Sequence, residues 1–548
     1  MALRTDYSSW EKEDLIKKIR ALEKRKKYGL VWDAAREPEK VVLDCQKELP
    51  VLKEISKNEI LTGKDNVTHI LIEGDNYHAL SVLSYTHEKA IDLIYIDPPY
   101  NTGNDDFVYN DRYIDREDPY RHSKWLTFIG KRLQLARNLL KTSGIIFISI
   151  DDNEFAQLKL LCDEVFNERN FVIDVIWNSR KSVSSDAIVS LNHNHTLVYA
   201  KYIDILREEV RTKNRFKLPA REDKFSNPDN DLRGAWIADP FEAAGVRKNL
   251  SYAIKNPNTG QTYYPVKGRH WAVLEDEYFK LLADNRIVFG KNGTGKPARK
   301  RFLSDAMEKG LTPKSIWDDV GTTTNGTQEL EDILGNKTFN NPKPVSLVRR
   351  ILELASDKES VVLDFMAGSG TTGHAVLSLN QEDGGNRQFI LCTNNENNIC
   401  TEVCYPRIQK VIEGYKNSKG QDIAGLGGNL KYYRTEFVPA SPTDKNKELL
   451  TRQSIEMLTL KEDAFEKVTE NPSYVIYRNS NKYTGIIFDQ LSFAEFKKAV
   501  AKVNKPISLY IFSLADEDFS DDFADMKGIV KICSIPEAIL RVYRRIFK

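Results

Sequence analysis

The chain has 548 residues, 41% of them hydrophobic and 29% charged, with 80 Lys and Arg against 79 Asp and Glu. That length calls for two to four domains, and the composition is that of a folded chain rather than a disordered one. A net charge of +1 excludes a polycation, so any nucleic-acid surface must come from local asymmetry; with no apolar run near the ~20 residues of a membrane span and no secretory h-region, a cytoplasmic protein is expected.

The first predicted element is an amphipathic helix over residues 9–27, with Trp10, Leu15, Ile19 and Leu22 spaced among charged residues. Its basic end, Lys24-Arg25-Lys26-Lys27, suits phosphate contacts or equally a solvated helix C-terminus. Residues 1–60 are taken as an N-terminal helical segment. From Thr68 strand and helix signals alternate: His69-Ile70-Leu71-Ile72, then Glu73-Gly74-Asp75-Asn76 and a helix through Leu80 and Leu83. The run Ile91-Asp92-Leu93-Ile94-Tyr95-Ile96 reads as a buried strand, residues 125–140 as a helix, Ser143-Gly144 as a turn, and residues 145–150 as another apolar strand. Continuous apolar strands separated by helices imply a parallel sheet covered on both faces.

Asp97-Pro98-Pro99-Tyr100 follows the strand ending at Ile96. Two prolines can neither donate to a ladder nor continue a helix, so the chain turns rigidly at the carboxyl edge of the sheet, where open α/β folds bind ligands. An aromatic amine is a poor nucleophile because its lone pair is delocalised into the ring. The Asp97 carboxylate and the Pro98 carbonyl can accept its two N–H groups and stabilise positive charge as it develops. Tyr100 offers a stacking face worth ~1–3 kcal/mol for a base flipped out of a duplex.

Farther on, Asp151, Asp152 and Glu154 end a strand, where helix N-capping accounts for them. His193 and His195 alternate in a strand-like segment and so share a face. Regularity fails over residues 203–335, which are rich in Gly, Pro, Asn and basic residues, with Trp236, Trp271 and Trp317 among them. The triplet Arg299-Lys300-Arg301 in this stretch suits phosphates or plain solvation.

Strand signals return at Val361-Val362-Leu363, followed by Asp364-Phe365-Met366-Ala367-Gly368-Ser369-Gly370-Thr371-Thr372-Gly373 and a helix. Glycines at a strand–helix junction let backbone approach a ligand closely, and the missing Gly-Lys-Ser/Thr ending argues against a phosphate-cradling P-loop. After the strand at residues 388–391 comes Thr393-Asn394-Asn395-Glu396, where an acidic side chain suits ribose hydroxyls. Beyond residue 440 a charged helix and short strands at 474–477, 485–488 and 508–512 suggest a small separate α/β domain. Six cysteines are scattered along the chain; Cys400 and Cys404 have no His or second pair nearby, so no metal site is expected.

Asp-Pro-Pro-Tyr followed much later by Phe-Met-Ala-Gly-Ser-Gly resembles the amino-methyltransferases acting on DNA, in the circularly permuted β-class order. More closely, the chain resembles the modification (Mod) subunits of type III restriction–modification systems. That likeness is carried by residues 24–30 (Lys-Arg-Lys-Lys-Tyr-Gly-Leu), 97–103 (Asp-Pro-Pro-Tyr-Asn-Thr-Gly), 428–433 (Gly-Asn-Leu-Lys-Tyr-Tyr) and 535–540 (Ile-Pro-Glu-Ala-Ile-Leu). The resemblance implies an α/β fold with a doubly wound, mixed, mostly parallel Rossmann-like sheet. It would divide into a catalytic half (61–202), an inserted target-recognition region (203–335), a cofactor half (336–440) and a C-terminal α/β domain (441–548).

It also implies S-adenosylmethionine as cofactor, N6 of adenine in double-stranded DNA as target, and as partners a second copy of the chain and a helicase–nuclease (Res) subunit. The matching catalytic residues are Asp97, Pro98, Pro99 and Tyr100. Around the cofactor it places Asp75, Asp364, Phe365, Ala367, Gly368, Ser369, Gly370, Thr371 and Glu396, with Lys343 in Phe339-Asn340-Asn341-Pro342-Lys343-Pro344, the segment that closes over the methionine moiety. Asn101, Arg299, Lys300 and Arg301 are assigned to DNA. Met366 departs from the family's usual Phe two residues before the first glycine of the loop, with Phe365 beside it. Three alternatives stay open: N4 of cytosine, although Asp at the first motif position leans toward adenine; a catalytically silent recognition subunit; and a dinucleotide oxidoreductase, which leaves residues 97–100 without a purpose.

Overall fold

Nearly every side chain in Ile91–Ile96 is apolar, and such a strand is stable in water only when both of its faces are covered. In the computed structural model it lies in the middle of a ten-stranded sheet. The structure describes residues 11–23, 39–103, 107–109, 112–183, 185, 187–213, 215–220, 222–290, 292–336, 338–439, 441–513 and 518–547; the basic stretch 24–30 lies outside them. The sheet strands are β1 (Leu49–Glu54), β2 (Thr68–Glu73), β3 (Ile91–Ile96), β4 (Leu140–Ile150), β5 (Phe171–Asn178), β6 (His193–Ala200), β7 (Ile316–Trp317), β8 (Val361–Asp364), β9 (Gln388–Thr393) and β10 (Asn429–Val438). Their spatial order is β1-β10-β2-β9-β8-β3-β4-β6-β5-β7.

Six neighbours from β10 to β4 run parallel, while β1 and β6 pair antiparallel to their neighbours. The sheet is thus mixed and mostly parallel. Its crossovers place β8 beside β3, with Val362 opposite Leu93 and Leu363 opposite Ile94. Two stretches some 270 residues apart therefore end at one rim. Among the helices, α1 (Asn76–Thr86) packs on α2 (Arg121–Leu139), and α4 (Val345–Ala355) packs on α5 (Thr371–Asp383); α3 (Phe155–Cys162) follows β4.

Several boundaries differ from the sequence expectation. Residues 1–60 are not only helical: Leu49-Pro50-Val51-Leu52 is buried and forms an edge strand of the main sheet, a place where proline is tolerated. Ser143-Gly144 lies inside an extended stretch rather than in a separate turn. The C-terminal segment has its own five-stranded sheet, yet Leu450, Met457, Tyr510, Phe512 and Ile539 join the same core as β2 and β3, so it is not a separate body.

The chain divides into two compact units, residues 209–314 and the rest. The smaller is narrower than the expected insert 203–335, because Ile316–Trp317 returns to the main sheet. It holds a three-stranded antiparallel sheet and a core of its own around Phe241, Ile254, Trp271, Tyr278 and Phe289.

Candidate active site

The turn after β3 is held from three sides. The Trp125 indole donates to the Pro99 carbonyl at 2.8 Å. The Tyr100 hydroxyl donates to Asp97 Oδ1 at 2.9 Å and accepts from Asn194 Nδ2 at 3.1 Å; Ser179 Oγ in turn donates to Asn194 Oδ1. Burial and the neighbouring Asp97 push the Tyr100 phenol well above its ordinary pKa, so it stays a donor. The second Asp97 oxygen faces the Lys343 ammonium, which also lies 5.1 Å from the Tyr100 ring centroid. Lys343, expected over the methionine moiety of a cofactor, thus places its charge on Asp97 instead.

Across the rim, the loop after β8 turns on Asp364, whose Oδ1 accepts from Met366 N at 3.0 Å and whose Oδ2 accepts from Thr372 Oγ1. Complete burial pushes the Asp364 carboxyl up to about 7. Gly368 and Gly370 have φ of 50° and 77°, the left-handed region that glycine enters without steric cost. A Cβ at Gly368 would lie 3.1 Å from the Phe339 ring, so the segment carrying Lys343 lies directly on the loop. The two also share a bond, Thr371 Oγ1 to the Lys343 carbonyl at 3.1 Å.

A cavity of about 820 Å³ opens beside this loop. Of the residues assigned to a cofactor, Asp75, Phe365, Gly368 and Glu396 line it, together with Met366, Phe339 and Pro99. Asp75 caps α1, its Oδ1 accepting from Tyr77 N at 2.7 Å. Glu396 is exposed and accepts from Asn394.

The other assigned loop residues frame the cavity rather than face it. Arg407, fully buried, donates to Ser369 Oγ at 3.1 Å and Thr371 Oγ1 at 2.8 Å, which turns both hydroxyls inward. That burial pulls the guanidinium pKa down to about 10. Ala367, Gly370 and Asp364 likewise build the turn.

Two DNA assignments are corrected. Asn101, at φ 56°, is fully buried and donates to Glu154 Oε1 at 2.5 Å, so its amide does not face outward. Glu154 makes no capping bond to α3. It is buried instead, also lies 2.7 Å from His122 Nδ1, and has a pKa raised by that burial. In the smaller unit Lys300 is fully buried on Asp229 and on Asp231 at 3.0 Å. Alternation along the strand Ala298–Phe302 leaves Arg299 exposed, with Arg301 paired to Asp239 at 3.0 Å.

Sequence reading missed Asn194, Trp125 and Arg132. Arg132 sits at a core-facing position seven residues after Trp125, donates to Glu39 at 2.8 Å and lies 3.4 Å from Asp75. A cation on the apolar stripe of α2 was the available signal.

Compared with known proteins, residues 91–403 match the family described as DNA methylase. The StyLTI type III restriction–modification Mod subunit of Salmonella typhimurium is 39% identical over 440 residues, covering 73% of this chain and 64% of that protein. The EcoPI Mod subunit of Escherichia phage P1 is 34% identical, covering 70% and 66%. The type II methyltransferase M.KpnI of Klebsiella pneumoniae is 31% identical, covering 69% and 93%. The match thus spans just under two thirds of the length of the two Mod subunits.

Proposed function

The chain belongs to the DNA methylase family, and from that premise we propose that it methylates N6 of adenine in duplex DNA with S-adenosylmethionine, as the modification subunit of a type III restriction–modification system. The observation that carries this reading is the meeting of Asp97 and the glycine loop at one rim, bridged by Lys343. Support for the cofactor comes from the cavity. It has a wall at Gly368, where an added Cβ would crowd Phe339, apolar sides at Phe365 and Met366, and carboxylates at Asp75 and Glu396. When bound, S-adenosylmethionine supplies an electrophilic methyl group.

The residues of the chain do the rest. Asp97 and the Pro98 carbonyl accept the two N–H groups of the flipped base and direct its lone pair. Their negative charge stabilises the cation that develops on nitrogen, and Asp97 takes the proton the amine then sheds. In the structure the Lys343 ammonium holds the acceptor position that the amine needs, so entry of the base displaces it. Trp125 and Asn194 keep the turn and the stacking ring of Tyr100 in place before the base arrives, which lowers the orientational part of the barrier.

The StyLTI and EcoPI relatives are subunits of type III restriction–modification enzymes, which supports a partner subunit of the helicase–nuclease kind expected from the sequence; a second copy of the chain rests on the sequence resemblance alone. No helix among the described residues is long and apolar enough to cross a membrane, and a cytoplasmic setting suits the substrate. Asp at the first motif position supports adenine. Incubation with duplex DNA and the cofactor, followed by nucleoside mass analysis, should yield N6-methyladenine; N4-methylcytosine, or no methylated base, would overturn the reading.

A further inference from the structure

Strand β6 opens with His193-Asn194-His195, and the pleat sends alternate side chains to opposite faces. Asn194 reaches Tyr100 on one face. On the other, the two imidazole rings lie 5.0 Å apart and nearly perpendicular. Asp152, just past the end of β4, brings its Oδ1 to 3.3 Å from His195 Nε2. One donor atom from each of Asp152, His193 and His195 lies within 4.8 Å of the others.

The His195 ring is fixed from behind. Its Nδ1 lies 2.9 Å from Asp174 Oδ2, and the Phe155 ring stacks on it at 3.9 Å. A carboxylate on Nδ1 settles the tautomer that presents the Nε2 lone pair, the arrangement found behind metal-binding histidines. Burial falls from His195 to the exposed Asp152, which leaves an entry path.

We propose that Asp152, His193 and His195 bind one divalent transition-metal ion, of which zinc is the type, with Asp174 orienting His195. Two imidazoles and one carboxylate suit such an ion and leave a fourth position open. With bonds of about 2.1 Å, tetrahedral donor atoms sit about 3.4 Å apart, the spacing Asp152 and His195 already have. Rotation of the half-buried His193 and the exposed Asp152 closes the remainder. The ion would tie the end of β4 to the start of β6, directly behind Asn194, and so brace the strand that holds Tyr100. The site does not depend on the methyl-transfer reading and takes no part in that chemistry. The sequence expectation of no metal weighed only the cysteines; these donors come together only when β4 and β6 pair.

The test uses the tag-free chain of 548 residues stripped with EDTA, titrated with Zn²⁺ by calorimetry and with Co²⁺ by visible spectroscopy. One equivalent should bind, with a Co²⁺ d–d band and no thiolate charge-transfer band. H193A and H195A should each weaken binding about 100-fold or more, and D174N about tenfold or more, with thermal unfolding showing that each variant folds. H193A guards against a packing defect at the stacked His195. Absence of saturable binding, a thiolate band from the cysteines, or equal affinity in the H193A variant would overturn the site and leave His195 as an ion pair between two carboxylates.

Discussion

The rim of the parallel sheet and the smaller unit at residues 209–314 obey different rules, though both carry charged side chains singled out by the sequence. At the rim, a strand buried on both faces can end in only one place, so whatever follows Ile96 or Asp364 is delivered to the carboxyl edge. In the smaller unit, strands are two to five residues long, and which side of a strand faces the core depends on a register the sequence leaves open. Adjacent residues of one basic triplet therefore go opposite ways, Lys300 into the interior and Arg299 to solvent. A motif is legible where topology dictates its direction, and ambiguous where pairing does.

Four substitutions sharpen this contrast. The largest effect is expected at Lys300: K300A removes a buried ammonium that Asp229 and Asp231 share, while Asp231 keeps Arg233 at 2.8 Å, so the smaller unit should lose about 2 kcal/mol, read by chemical denaturation; unchanged stability would mean that this buried cation contributes nothing to the unit. G368A should weaken cofactor binding about tenfold, or ~1.4 kcal/mol, as the new methyl displaces Phe339 and strains the left-handed turn; calorimetric titration checks it, and unchanged affinity would remove the loop from the pocket. W125F deletes the donor to Pro99 and should cost about 1 kcal/mol of stability, with a fall in turnover exceeding any rise in cofactor dissociation constant. The smallest effect belongs to R299A, a few-fold loss of DNA affinity with a salt dependence shallower by about one unit of slope. An unaltered slope would return Arg299 to ordinary surface.

The placement of much of the candidate site is legible in the sequence. Asp97 and Tyr100, and the glycines at 368 and 370, follow strong strands, and their directions follow from chain geometry alone. Partners are not legible, because they come from tertiary pairing. Asn194 reaches Tyr100 across 94 residues and Arg132 reaches Asp75 across 57. Nor can sequence tell whether a small hydroxyl in a loop faces a ligand or the protein; Ser369 and Thr371 face Arg407. In the fold, the mixed, mostly parallel sheet matches expectation. Strand β1 escapes a sequence reading because a four-residue apolar run next to a helix carries no period of its own. Lys343 falls in the expected neighbourhood but on a different partner, since a long flexible side chain can reach either the pocket or Asp97.

Asp97 offers the most direct measurement of whether the two halves of the rim serve one reaction. In D97A, labelled-methyl transfer to duplex DNA and calorimetric cofactor binding can be measured on the same preparation. Transfer should fall by at least about 1,000-fold, roughly 4 kcal/mol of transition-state stabilisation, with cofactor affinity within a few-fold of the parent. Transfer retained within tenfold would contradict the account.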